Sequence, residues 1–150
     1  MNKKYIIAID PGREKCGIAV LSIDNTVIFH KTVLKNDLFP CMDELQKKYT
    51  IAAVVIGSGT TSKNVLQLLQ KKYQQISIAV IDEYRTTDAA KKRYWQENPP
   101  KGIKRLIPRG MLIPPVPVDD WAAVIIGEKY LKNLGIKGEN DGKKTIKEAD

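Results

Sequence analysis

Apolar residues crowd into short blocks along this chain. Tyr5 to Ile9, Cys16 to Ile23, Ile51 to Ile56 and Ile76 to Ile81 are nearly all apolar and rich in branched side chains. Blocks of this length read as buried strands, and Val27 to Leu34 (VIFHKTVL) joins them as a strand after the hairpin-turn chemistry of Asp24-Asn25-Thr26. Elsewhere the apolar spacing changes to threes and fours. Leu38, Phe39, Met42, Leu45 and Tyr49 outline a helix capped near Asp37, with Pro40 in its first turn. Val65, Leu66, Leu68, Leu69 and Tyr73 outline a second, which carries Lys71-Lys72 at its end. Thr86-Thr87-Asp88 caps a third through Trp95, stopped by Asn98-Pro99-Pro100. Val118-Asp119-Asp120 opens a fourth that runs to Leu134.

The resulting order, β-β-β-α-β-α-β-α, predicts an α/β fold: a five-stranded mixed sheet, three antiparallel strands followed by parallel ones, flanked by helices on both faces. A chain of 150 residues can bury one self-sufficient core. We assign residues 1–134 to a single domain and read the Gly-rich, charged stretch 135–150 as a flexible tail. Between Pro99 and Pro117 the proline content forbids a regular helix or a central strand.

Acids stand where the apolar blocks stop. Asp10 follows Ile9, Asp82-Glu83 follows Ile81, and Asp119-Asp120 opens the last helix. In sheets of this kind polar ligands collect beyond the carboxyl ends of the parallel strands. Asp10, before Pro11-Gly12, either shapes a turn or presents charge to a site, and the later acids favour the site. Asp82 and Glu83 alternate in direction, so one of them faces the Asp10 side. Asp119 and Asp120 both fall near the edge of the helix's apolar face, where either is also a favoured cap, and periodicity does not choose between them.

Charge adds a partner class. Twenty-five Lys and Arg against 17 Asp and Glu give +8, which suits polyanions. Lys91-Lys92-Arg93 and the run from Lys101 to Arg109 lie between the second and third acids and read as a phosphate-binding rim. Trp95 and Trp121 read as packing residues, and Ser58, Thr60 and Thr61 suit a turn or a phosphate contact equally. Cys16 and Cys41 lack metal-finger spacing, and no apolar run nears the roughly 20 residues that span a bilayer, so a cytoplasmic protein with no membrane partner is expected. The single histidine, His30, leaves little for a Ser-His-Asp triad or a His-based metal site. Carboxylates without histidine suit hard cations such as Mg²⁺ or Mn²⁺.

Asp10-Pro11-Gly12 with Gly17-Ile18-Ala19, then Ile81-Asp82-Glu83 with Thr86-Thr87 and Ala89, then Val118-Asp119-Asp120-Trp121-Ala122-Ala123 together resemble the three motifs of the YqgF and RuvC-like nucleases of the RNase H-like superfamily. That resemblance implies Asp10, Glu83 and Asp119 as catalytic ligands of Mg²⁺ or Mn²⁺, and Arg85, Lys104, Arg105 and Arg109 as nucleic-acid contacts. Two departures stand out: Tyr84 follows the Asp-Glu pair where the family usually has Arg, and Gly57-Ser58-Gly59-Thr60-Thr61 replaces a Gly-Leu-Pro loop. The implied activity is a metal-dependent, resolvase-like endonuclease hydrolysing phosphodiester bonds in structured DNA or RNA, such as Holliday junctions or precursor ribosomal RNA. A non-catalytic nucleic-acid-binding protein of the same fold is the alternative. Two equivalent cuts in a four-way junction would favour a symmetric homodimer.

Overall fold

The computed structural model describes residues 3–59, 62–82, 86–108, 113–115 and 117–149. Five strands, β1 (Lys4–Asp10), β2 (Lys15–Ser22), β3 (Val27–Leu34), β4 (Thr50–Gly57) and β5 (Ser77–Ile81), form one sheet in the order β3-β2-β1-β4-β5. The first three pair antiparallel, and β1, β4 and β5 pair parallel, as the sequence predicts. The central position of β1 explains its unbroken apolar run: Ile6, Ile7, Ala8 and Ile9 are all buried, with alternate residues entering opposite layers.

Among the described residues four helices complete the fold: α1 (Leu38–Lys48), α2 (Ser62–Lys72), α3 (Thr86–Glu97) and α4 (Asp119–Ala149). One layer joins Ile7, Ile9, Ile18 and Ile56 to Leu38, Met42 and Leu45 of α1 and to Val65 and Leu69 of α2. The other joins Ile6, Ala8, Ala19, Leu21 and Val55 to Ala123, Val124, Ile126 and Leu131 of α4. Small residues let α4 lie close to the sheet, and a Cβ on Gly127 would meet the Leu21 side chain at 2.7 Å and the Ala8 Cβ at 3.2 Å. α3 packs on α4 and buries Ala90 and Trp95. This is an RNase H-like α/β architecture.

Two local expectations need correction. Asp37 occupies the N-cap position of α1 without a side-chain cap bond; it belongs to a 3-10 turn (Lys35–Asp37) and is already helical, at φ −94° and ψ −2°, unlike the extended backbone that capping uses. The fourth helix does not stop at Leu134 but runs to Ala149. Its glycines cost a helix about 1 kcal/mol each without forbidding it. The described residues of the Pro-rich segment contain one 3-10 turn, Gly102–Leu106, and otherwise no regular structure, as expected.

Candidate active site

Because β1, β4 and β5 are parallel, their carboxyl ends share one edge of the sheet, with Ile9 beside Ile56 and Gly57 beside Ile81. The loop after β4 is drawn to the same edge, since the Ser58 N–H bonds the Ile81 carbonyl at 2.9 Å. Asp10 closes β1 there, half-buried, and alternation places it on the α4 side with Ile6 and Ala8. Its cross-strand partner is Gly17 of β2.

Gly17 is where α4 begins to rest on the sheet. A Cβ at this position would overlap the carbonyl group of Asp119, so only glycine admits the helix start. A Cβ on Gly12, in the turn after Asp10, would likewise overlap the Lys15 carbonyl. Asp10 and the first turn of α4 are therefore brought together through one glycine.

The Val118 carbonyl accepts the Ala122 N–H at 2.9 Å, which makes Val118 the N-cap and leaves Asp119 and Asp120 as the first helical residues, at the positive end of the dipole. Their carboxylates differ. Asp120 Oδ1 accepts the Trp121 N–H at 2.9 Å, and its Oδ2 lies 2.8 Å from His30 Nδ1. Asp119 makes no hydrogen bond or ion pair to any described side chain. Burial pushes its carboxyl above the usual range, the Asp120 charge adds to this, and Lys15 opposes it. The buried Cys16 thiol reports the same crowding: burial raises it most, and Asp10 and Asp119 each raise it further.

Glu83, Arg85 and Arg109 lie outside the described residues; Asp82, immediately before Glu83, is exposed at the carboxyl end of β5, and its carbonyl accepts the Lys129 ammonium at 2.8 Å. Lys104 lies in the Gly102–Leu106 turn, where Arg105 is exposed alongside Ile103 and Leu106. Arg93 does not join a free rim. Its guanidinium pairs with Glu128 of α4 at 2.7 Å and with Glu97 at 3.3 Å, and sits 5.6 Å from the Trp121 ring, so it fastens α3 to α4. Trp121 packs as expected, with its ring 4.3 Å from that of His30.

Among the described residues no three His, Cys, Asp or Glu side chains stand close enough to hold a metal ion. Asp10 and Asp119 supply hard oxygen donors of the kind Mg²⁺ and Mn²⁺ take, and a cation would favour the ionised form of Asp119 against the burial, and then the Asp120 charge, that disfavour it. The donor chemistry fits. No helix among the described residues is long and apolar enough to cross a membrane.

The family model described as "RuvX: Holliday junction resolvase" matches residues 4–133. The chain belongs to the RuvX family. That match includes all five strands and the start of α4, and so Asp10, Gly17, Asp119 and Asp120. No curated protein matches the chain. Solved structures match the chain at low identity and low TM-score. One is a ROK family transcriptional regulator, a homolog of the E. coli MLC protein (10% identity, 61% of this chain, 31% of that one, TM-score 0.41). Another is a ROK family protein from Streptococcus pneumoniae in complex with sucrose (13% identity, 62% and 39%, TM-score 0.41). A third is Archaeoglobus fulgidus Pelota (11% identity, 98% and 39%, TM-score 0.42). The RuvX-family chain spans between about a third and two fifths of the length of these proteins, and the likeness carries no inference about activity.

Sequence reasoning missed the His30 contact. Its signal was the strand register, Ala19 opposite His30, which puts the imidazole on the α4 side of the sheet.

Proposed function

We propose that this RuvX-family chain is a divalent-metal-dependent endonuclease that hydrolyses phosphodiester bonds in branched or structured nucleic acid, with Asp10, Glu83 and Asp119 as the groups that hold Mg²⁺ or Mn²⁺. The observation carrying this reading is that Gly17 pairs with Asp10 on one side and seats the Asp119 backbone on the other, at the edge where β1, β4 and β5 end. Bound there, divalent cations would supply an activated water and stabilise the departing oxygen. The protein's share is placement. Asp10 ends the central strand β1, the backbone of Asp119 rests on Gly17, the cross-strand partner of Asp10, and Glu83 follows β5 in sequence. Among the described residues the Asp119 carboxylate makes no side-chain hydrogen bond or ion pair, unlike that of Asp120, which is engaged by His30 and the Trp121 N–H.

Substrate binding falls to the basic side chains. The exposed Arg105, with Lys101 on the same segment and Lys104, Arg85 and Arg109 from the sequence motifs, would neutralise phosphates, so that affinity falls steeply with salt. Cleavage adds water across a P–O bond, leaving a phosphate on one end and a hydroxyl on the other. The DNA four-way junction is the first substrate to test, structured RNA the second, and a homodimer would place two such sites for paired cuts.

The test is incubation of the full chain with four-way junction DNA, structured RNA and single strands in Mg²⁺ or Mn²⁺. Junction cleavage should appear with metal and fall at least about 100-fold in Asp10→Asn and Asp119→Asn. Cleavage that survives both substitutions contradicts the mechanism. Salt-sensitive binding without cutting, unmoved by the substitutions, would indicate a non-catalytic nucleic-acid-binding protein instead.

A further inference from the structure

Asp119 and Asp120 are neighbours in the first turn of one helix, about 100° apart around its axis, so side-chain rotation alone can bring either carboxylate toward the end of β1. Something must decide which of the two faces Asp10. The backbone contact at Gly17 sets how closely α4 approaches but not which carboxylate points where.

We propose that His30 is a positioning residue: it holds the Asp120 carboxylate toward β3 and thereby leaves Asp119, and not Asp120, facing Asp10. The inference rests on the reading of Asp10 and Asp119 as metal-holding groups, and its geometry is independent of that reading. His30 Nδ1 and Asp120 Oδ2 are 2.8 Å apart, and the other Asp120 oxygen accepts the Trp121 N–H at 2.9 Å, so both oxygens are engaged. The pair is partly shielded, with side-chain exposures of 34% for His30 and 19% for Asp120. The His30 ring also packs on the Trp121 ring at 4.3 Å, while Arg93 approaches that ring at 5.6 Å and pairs with Glu128 further along α4 at 2.7 Å. β3 and α3 therefore both grip the first turn of α4. The strand register explains the reach, because His30 stands opposite Ala19, two residues along β2 from the Gly17 that seats the Asp119 backbone. The first turn is thus fixed twice, by its backbone at Gly17 and by the Asp120 side chain at His30.

The test compares His30→Asn, whose amide keeps a donor near the Nδ1 position, with His30→Leu, which keeps bulk and loses the donor. Mn²⁺ titration of the full chain by calorimetry should show His30→Asn within about threefold of the parent and His30→Leu about tenfold weaker. A second comparison separates positioning from simple damage. In an Asp119→Asn background, His30→Leu should raise Mn²⁺ affinity several-fold, because Asp120 is released to turn toward Asp10. Equal losses in His30→Asn and His30→Leu, or a further loss in the Asp119→Asn background, overturn the proposal. Should the parent protein take up no Mn²⁺, the metal reading fails by itself. The positioning claim is then decided by the Asp120 carboxyl ¹³C resonance, identified through Asp120→Asn: a shift in His30→Leu that returns in His30→Asn supports it, and an unmoved resonance overturns it.

Discussion

On the face of the sheet covered by α1 and α2, Asp43 is fully partnered: it accepts the Tyr73 hydroxyl at 2.7 Å and the Lys72 ammonium at 3.0 Å. The Tyr73 bond is the main reason its carboxyl lies below the usual range, with Lys72 adding to it. On the α4 face Asp119 has no such partner among the described residues, and burial, reinforced by Asp120, moves its carboxyl the other way. The packing beneath them differs in the same sense. Large side chains such as Met42 and Leu69 fill the α1/α2 layer, whereas Ala8, Ala19 and Ala123 thin the α4 layer and bring the helix down onto glycine. An acid tied to its neighbours acts as a structural clasp, and one kept half-buried without partners costs stability unless a ligand completes it. The α1/α2 face holds the larger buried side chains, and the α4 face holds the acids proposed to bind metal.

Four substitutions probe that division, taken from the largest expected effect on stability to the smallest. Leu69→Ala empties a fully buried site in the α1/α2 layer and should cost about 2–5 kcal/mol in denaturant unfolding. Junction cleavage per folded molecule should stay near that of the parent, and a large loss of cleavage would show that the faces are not separable. Gly17→Ala should cost less stability, about 1–3 kcal/mol, because the backbone of Asp119 must move to admit the methyl group. Its cleavage should fall far more than Leu69→Ala does, and retained cleavage would detach Asp119 from the site.

The smallest effect lies in the pH dependence of the two acids. For Asp43 the folded value is depressed, so its stabilisation is complete above the unfolded value near 3.9 and is lost as pH falls through the folded value. For Asp119 the folded value is raised, so the stability due to its neutral form is present below about 3.9 and is lost as pH rises through the folded value. At pH 7 Asp43→Asn should therefore destabilise the protein and Asp119→Asn should stabilise it slightly, a gain that vanishes below about pH 4. Urea midpoints from pH 3 to 7 give both slopes, and destabilisation of equal size by both variants at pH 7 would erase the contrast.

The sheet was legible in the sequence because its signal is local. Runs such as Ile6 to Ile9 read as buried strands in any context, and the turn chemistry at Asp24-Asn25 matches the left-handed Asn25, at φ 72°. Asp10 was legible for the same reason, as the first charge after such a run. The distinction between Asp119 and Asp120 was not, since it depends on a contact between residues 90 positions apart and on the pairing of β2 with β3. Arg93, read with Lys91 and Lys92 as part of a phosphate-binding rim, pairs instead with Glu128, a partner on another helix that sequence proximity does not reveal. The extent of α4 was misjudged because glycine content weighs against a helix in composition alone, whereas the backbone continues to Ala149.

The central claim is that the α4 face presents Asp119, with Asp10, to a catalytic cation while Asp120 is held away. Four-way junction cleavage in Mn²⁺ by Asp119→Asn and Asp120→Asn, measured side by side, tests it most directly. The account predicts at least about a 100-fold loss for Asp119→Asn and no more than about a tenfold loss for Asp120→Asn, whose amide oxygen can still accept from His30. An inactive Asp120→Asn beside an active Asp119→Asn would contradict it.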